Sequence, residues 1–249
     1  MSDMSQLFFN EEHIRDAHIQ TAPAGFRYGF VADVLDEPMY VRLMREFPDV
    51  TKFTQVDKMS GGGHKKFYVG PGYVAGRNWG CTCHMRSLSP IWRDFLAVCA
   101  SPAVTRMFSE RIGVPLNSLC NFGPTYGNEG CVQEAHVDGA VREYDDGPVK
   151  AVWTAILYFN EQPAGPGGTC VYDTDRTTIL LQAPSMRNGL FFFEQHPQAW
   201  HGFPVMPEGT ERRVLGLAYS REKEPIELKE NVMHRLGCKN FWKSVIRGV

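Results

Sequence analysis

The chain has 249 residues, 43% of them hydrophobic and 22% charged, which are ordinary proportions for a globular protein. Its 26 basic and 28 acidic residues leave a net charge of −2, and no long basic run indicates a nucleic-acid partner. No apolar stretch approaches the ~20 residues of a membrane span. The N-terminal residues lack the charged and apolar pattern of a signal peptide, so we expect a cytoplasmic protein with no membrane partner.

The seven cysteines are scattered along the chain, and an odd number favours reduced thiols over a disulfide framework. The segment Cys81-Thr82-Cys83-His84 contains residue types that bind zinc, but no second ligand pair follows at a matching spacing. We therefore do not predict a structural zinc site there. The sequence also does not indicate an oligomeric state.

Three helices are predicted in the first half of the chain. The first covers residues 37–47, where apolar residues recur every three or four positions. Ser89-Pro90 and Ser101-Pro102 are typical helix starts, because serine caps the helix and proline fits its first turn. Gly113 stands where a glycine often ends a helix. We expect the second and third helices to pack as a layer against a sheet.

From about residue 114 to residue 220 the sequence favours strands. β-Branched and aromatic residues fill short runs bounded by Gly, Pro and Asn, at residues 151–159, 178–182, 189–193 and 213–219. Several short strands within about a hundred residues predict a sandwich or a barrel. A helical pattern returns at residues 231–245. We therefore predict a single domain over residues 1–249, mainly β, with accessory helices at both ends.

Two segments carry residues that could bind one metal ion. His136 and Asp138 stand two positions apart, so on a strand both side chains point to the same face. His201 follows the apolar strand predicted at residues 189–193. Two histidines and one carboxylate form the facial triad of non-haem Fe(II) oxygenases, which leaves coordination positions open.

This pattern resembles the 2-oxoglutarate/Fe(II)-dependent dioxygenases, in particular their prolyl-hydroxylase-like branch. Members of that family have His-x-Asp, then a distal histidine, then Arg or Lys on the last strand of a barrel. The resemblance covers residues 118–220 and includes Leu157-Tyr158-Phe159-Asn160 and Gly167-Gly168-Thr169. It implies a double-stranded β-helix, which is a jelly-roll, cupin-like barrel. This core is expected over residues 114–222, with helical and extended support over 1–113 and a helical tail over 223–249.

The resemblance also implies a ligand set. His136, Asp138 and His201 would bind Fe(II), with 2-oxoglutarate as cosubstrate and O2 as oxidant. His196 is the rival of His201 as the distal histidine. Its neighbour Pro197, and the similarity of Trp200-His201-Gly202 to the distal motif of the family, favour His201.

A basic residue after the distal histidine would bind the distal carboxylate of 2-oxoglutarate. We prefer Arg213, because Gly216 and Ala218 then fall on the opposite face of the strand, but Arg212 remains an alternative. Tyr158 occupies a position where family members often have a tyrosine that bonds to the same carboxylate. A plain core tyrosine is the alternative there. Thr154 and Ile156 share its face and are expected to line the pocket.

The implied activity is hydroxylation of an unactivated C–H bond, with succinate and CO2 as further products. Asp138 stands where related halogenases have a small residue, which predicts hydroxylation and not halogenation. We expect a small-molecule substrate, such as an amino acid, a sugar or a specialised metabolite. No separate binding domain or large charged surface is visible in the sequence. A peptide or protein residue such as proline is the alternative substrate.

Two other hypotheses fit part of the pattern. One is a barrel that holds zinc or manganese for isomerisation or hydrolysis. Such an enzyme would need no carboxylate-binding residue after His201, so it would not account for Arg212 and Arg213. A non-catalytic metal-binding or ligand-binding barrel of the same fold is expected to lose one residue of the triad, and none is lost here.

Overall fold

In a computed structural model of the chain, the described residues are 8–58, 64–70, 88–138, 140–144, 147–150, 152–161 and 164–221. The predicted helix at residues 231–245 and the cysteine pair at residues 81–84 lie outside these ranges. The division of the chain into support, core and tail stays a prediction.

The helices are α1 (Glu11–Asp16), α2 (Glu37–Arg45), α3 (Pro90–Cys99) and α4 (Pro102–Ile112). The three helices predicted in the first half of the chain are confirmed as α2, α3 and α4. Ser101 caps α4 by accepting a hydrogen bond from the backbone N–H of Val104, and Gly113 ends this helix with a left-handed φ of 67°. Among the described residues, no helix is long and apolar enough to cross a membrane.

Sixteen strands lie in the described part of the chain, and the four that were predicted are confirmed as β9, β12, β14 and β16. The strands are β1 (Ile19–Thr21), β2 (Arg27–Val31), β3 (Thr54–Lys58), β4 (His64–Val69), β5 (Ser118–Gly127), β6 (Val132–His136), β7 (Ala140–Tyr144), β8 (Gly147–Lys150), β9 (Trp153–Tyr158), β10 (Ala164–Gly165), β11 (Cys170–Tyr172), β12 (Ile179–Gln182), β13 (Ser185–Met186), β14 (Leu190–Glu194), β15 (Trp200–Phe203) and β16 (Arg212–Ser220).

The main strands form two antiparallel sheets with the strand order of a jelly roll. The larger sheet has the order β14-β9-β16-β5, and the smaller one has the order β6-β15-β11-β12. Strand β4 pairs with both β5 and β6 and so joins the two sheets. On the other side, β2 pairs with β14 and extends the larger sheet. The predicted double-stranded β-helix with accessory helices is therefore confirmed.

Two apolar clusters lie on opposite faces of the larger sheet. On one face, Phe95 of α3 belongs to a large cluster with Leu215 of β16, so the predicted helical layer is confirmed. On the other face, Tyr158, Val171 and Phe193 belong to a smaller cluster between the two sheets. Each fully buried Leu or Phe side chain stabilises the fold by about 1.5–3 kcal/mol. The space between the sheets is the interior of the barrel.

Candidate metal centre

Strands β6 and β15 place two histidines side by side. His136, the last residue of β6, is in register with His201 of β15, and their ring centroids are 4.3 Å apart. Asp138 follows two residues after His136 and turns to the same side. These three residues, brought together from two strands, could hold one metal ion.

The ligand atoms of this triad converge. The Asp138 Oδ1 atom lies 3.5 Å from His136 Nε2 and 3.7 Å from His201 Nε2. The ligand atoms all lie within 4.8 Å of one another, and one metal ion at about 2.0–2.1 Å from each of them would draw neighbouring ligand atoms to roughly 3 Å apart. His201 is almost fully buried, whereas the Asp138 side chain is 36% exposed, so the site opens on the side of the carboxylate.

The hydrogen bonds of both imidazoles engage the Nδ1 atoms and leave the Nε2 atoms directed at the metal position. His201 Nδ1 donates to the carbonyl of Ala199 at 2.9 Å, and His136 Nδ1 donates to the carbonyl of Glu134 at 3.1 Å. Such bonds fix the tautomer and the orientation of metal-binding histidines. His136 Nε2 accepts a hydrogen bond from Gln133 Nε2 at 3.2 Å, which a metal ion would replace.

The electrostatic surroundings keep His201 and Asp138 in the protonation states that a metal needs. Burial, and to a smaller degree repulsion by His136, lower the pKa of His201 to about 4. Desolvation acts to raise the pKa of Asp138, but attraction by His201, whose imidazole is protonated at the low pH where this carboxyl titrates, and contacts with His136 and Gln195 outweigh it and lower this pKa. At neutral pH the site therefore presents a neutral His201 and a carboxylate.

The rival histidine lies elsewhere. The ring of His196 stacks on Phe26 at a centroid distance of 6.4 Å, and its Nδ1 accepts a hydrogen bond from the backbone N–H of Gln198. Among the described residues, the group that could hold a metal contains His201 and not His196.

Arg212 points into the barrel. It is buried, and its guanidinium donates to the carbonyl of Gly167 at 2.7 Å and to Thr169 Oγ1 at 3.2 Å. Its charge also lies 4.5 Å from the ring centroid of Phe203 and 5.8 Å from that of Tyr158. No carboxylate of the described residues pairs with it, and burial lowers its pKa. A buried cation without a partner is costly, which suits a site for an anion.

Arg213 points to the opposite face, towards the helices. It forms an ion pair with Glu211 at 2.7 Å, lies 3.9 Å from Glu161, and packs over the ring of Phe47. Of the two arginines, Arg212 therefore lies on the barrel side of β16 and Arg213 on the helix side. The small residues Gly216 and Ala218 share the face of Arg212, and this face borders the interior of the barrel.

Tyr158 lies beside Arg212 in the interior. Its hydroxyl donates to Thr169 Oγ1 at 2.9 Å and accepts from the backbone N–H of Thr169 at 3.0 Å. Tyr158 and Arg212 therefore direct their donors at the same hydroxyl oxygen. Val171 of β11 lies two residues after Thr169 and is in register with His201, so this end of the barrel is continuous with the triad.

Open space borders Gly216 on the interior face of β16. Strand β9 lines it with Thr154, Ile156 and Tyr158, which were predicted to share one face. Gly216 of β16 is in register with Ile156. A Cβ atom added at Gly216 would meet no atom within 4 Å.

Solved structures with this fold are known. No protein-family model matches the chain, and no curated protein is similar to it in sequence. A prolyl-4-hydroxylase from Pseudomonas putida superposes with a TM-score of 0.52 at 14% identity, covering 78% of this chain and 92% of that chain. An oxidoreductase of the 2OG-Fe(II) oxygenase family from Burkholderia pseudomallei gives 0.52 at 13% identity, with coverage of 78% and 85%. They share the fold of this chain.

Sequence reasoning missed Gln195. Its Nε2 donates to Asp138 Oδ2 at 2.7 Å and to Thr154 Oγ1 at 2.5 Å, so it contacts the triad directly. The signal was present, because Phe191, Phe193 and Gln195 alternate along β14 and its end. Phe193 packs against the His201 ring at a centroid distance of 4.6 Å, so the residue two positions on also faces the site.

Proposed function

We propose that this protein is an Fe(II)- and 2-oxoglutarate-dependent oxygenase, with His136, Asp138 and His201 as iron ligands. The observation that carries this proposal is the convergence of two imidazole nitrogens and one carboxylate oxygen. Three protein ligands on one side of a metal leave the other positions for a chelating oxoacid and O2. A structural zinc site would instead use four protein ligands.

Arg212 supports 2-oxoglutarate as the cosubstrate. A dicarboxylate that chelates iron through one end presents its second carboxylate deeper in the barrel, where Arg212 lacks an acidic partner. The planar guanidinium matches a carboxylate in charge and in geometry. We assign this contact to Arg212 and not to Arg213, with Tyr158 as a second donor to the same carboxylate.

The dimensions of the interior agree with this placement. Thr154 lies next to Gln195 at the triad, and Tyr158 lies next to Arg212, four residues further along β9. Four residues of a strand span about 13 Å. A metal ion and a five-carbon dicarboxylate fit end to end within this length.

The residues of the chain then have distinct tasks. The bound iron would supply the activation of O2 and the oxidative decarboxylation of 2-oxoglutarate to succinate and CO2. His136, Asp138 and His201 hold the metal, Arg212 and Tyr158 orient the cosubstrate, and the apolar wall around Phe193 excludes water. Because Asp138 supplies a carboxylate ligand, we expect hydroxylation of the substrate and not halogenation.

The substrate is proposed to be a small molecule, with a peptide or protein residue as the alternative. The described surface near Asp138 is the open side of the site, so the substrate would enter there. A screen of amino acids, sugars and proline-containing peptides, read by succinate release, would separate these two classes.

The test is an anaerobic titration with Fe(II) and then 2-oxoglutarate, followed by visible absorption. We expect a weak charge-transfer band that requires both additions and disappears in His136→Ala and His201→Ala. The matched control is His196→Ala, which should retain the band. If no band forms although both ligands are bound, a zinc or manganese enzyme or a non-catalytic barrel would replace this proposal.

A further inference from the structure

The carboxylate of Asp138 uses its two oxygens differently. Oδ1 is the atom that faces both imidazoles, at 3.5 Å from His136 Nε2 and 3.7 Å from His201 Nε2. Oδ2 instead accepts a hydrogen bond from Gln195 Nε2 at 2.7 Å. One oxygen is thus directed at the metal position and the other is bound by an amide.

The orientation of the Gln195 amide follows from its partner. The NH2 group of Gln195 faces Asp138, because the amide nitrogen donates and a carboxylate oxygen accepts in the 2.7 Å contact between them. The same NH2 group donates to Thr154 Oγ1, which anchors the side chain to β9. These two contacts set the rotation of the Asp138 carboxylate relative to the barrel.

The position of this amide is unfavourable in itself. Gln195 Oε1 is buried and has no hydrogen-bond partner among the described residues. A buried acceptor without a partner costs about 1–3 kcal/mol. Such a group persists where neighbouring contacts dictate its place, and here those contacts are Asp138 and Thr154.

We propose that Gln195 is a positioning residue that makes Asp138 a single-oxygen ligand. By occupying Oδ2, it prevents the carboxylate from binding the metal through both oxygens. A two-oxygen mode would take a position that the chelating oxoacid or O2 needs. This inference rests on the proposed metal site, and partners of metal ligands commonly change metal affinity by 10–100-fold.

The main variant is Gln195→Met, which keeps the length and apolar contacts of the side chain but removes its N–H donors. Binding of Mn(II) to the otherwise intact protein would be measured from the EPR signal of the free ion. We expect affinity to fall by about 10–100-fold. Thr154→Val, which removes only the anchor of Gln195, should give a smaller loss.

A second readout separates positioning from general damage. The visible absorption of the Co(II)-loaded protein reports the coordination number, and it should change in Gln195→Met if the carboxylate binds through both oxygens. The melting temperature of the metal-free variant should stay close to that of the unchanged protein. Gln198→Ala, an exposed glutamine on the same connection, is the matched control and should change neither property.

His201→Ala separates failure of the proposed role of Gln195 from failure of the proposed metal site. Unchanged Mn(II) affinity and an unchanged Co(II) spectrum in Gln195→Met, with His201→Ala unable to bind, would overturn the role of Gln195 alone. Retained Mn(II) binding in His201→Ala would instead overturn the metal site.

Discussion

Arg212 and Arg213 are consecutive residues, yet their side chains lie on opposite faces of β16. Arg212 reaches Gly167 and Thr169 inside the barrel, whereas Arg213 pairs with Glu211 outside it. The alternation of a strand produces this separation, since neighbouring side chains point to opposite faces. The pair therefore provides a variant and its control at adjacent positions.

We expect Arg212→Met to weaken 2-oxoglutarate binding by about 2–5 kcal/mol, which is roughly 30-fold or more. The reason is that the distal carboxylate would be buried without its charged partner. The measurement is a calorimetric titration of the Mn(II)-loaded protein with 2-oxoglutarate. The variant should still fold, because an apolar side chain replaces a buried charge that has no acidic partner in the described structure.

Arg213→Met is the control for this experiment. Its ion pair is partly exposed, so its loss should lower the free energy of unfolding by no more than about 1 kcal/mol. The affinity for 2-oxoglutarate should not change. A large loss of affinity in Arg213→Met with none in Arg212→Met would restore the order of preference that the sequence favoured.

The preference for Arg213 over Arg212 came from the pattern of large residues in β16. Leu215, Leu217 and Tyr219 were placed on the side of Arg213, and a row of large residues in a strand usually indicates a core face. That face is a core face, but its core lies under the helices. The face inside the barrel carries the small residues Gly216 and Ala218, and a Cβ atom added at Gly216 would meet open space there.

Other features were predictable because they depend on local patterns. The serine-proline helix starts and the two-residue spacing of His136 and Asp138 follow from short segments of sequence. The joining of β2 to β14 was not predictable, since these strands are far apart in the chain and their pairing depends on the whole fold. Gln195 was not predicted, although the alternation of side chains along β14 is enough to point it towards the site.

Gly216 tests whether the interior space holds the cosubstrate. Gly216→Leu should place a branched side chain in that space and weaken 2-oxoglutarate binding by about tenfold or more, equivalent to about 1.4 kcal/mol. The affinity for Mn(II) should stay unchanged, because the triad is not touched. Both affinities can be measured by calorimetry on the same preparation.

The control is Gly216→Ala, whose added methyl group has open space around it. It should keep cosubstrate binding and raise the free energy of unfolding by about 0.5–1 kcal/mol, since alanine loses less backbone entropy than glycine in a strand. If Gly216→Leu binds 2-oxoglutarate normally, the cosubstrate lies elsewhere.

Asn188 joins β14 to the N-terminal segment of the chain. Its side chain is fully buried, accepts a hydrogen bond from the backbone N–H of Leu35 at 3.0 Å, and donates one to the Leu35 carbonyl at 2.8 Å. Its backbone has a left-handed φ of 54°, a conformation that asparagine tolerates better than most residues.

We expect Asn188→Ala to lower the free energy of unfolding by about 3–5 kcal/mol, measured by chemical denaturation. The buried N–H and carbonyl groups of Leu35 would lose their hydrogen-bond partners. The left-handed backbone would cost alanine a further ~1–2 kcal/mol. Asn188→Gly also loses the two hydrogen bonds to Leu35 but avoids the cost of the left-handed backbone. Its free energy of unfolding should therefore lie between those of Asn188→Ala and the unchanged protein. Asp33→Ala, at an exposed residue with a φ of 48°, measures the backbone cost alone. If Asn188→Gly were as stable as the unchanged protein, the two hydrogen bonds to Leu35 would contribute nothing and the argument would fail.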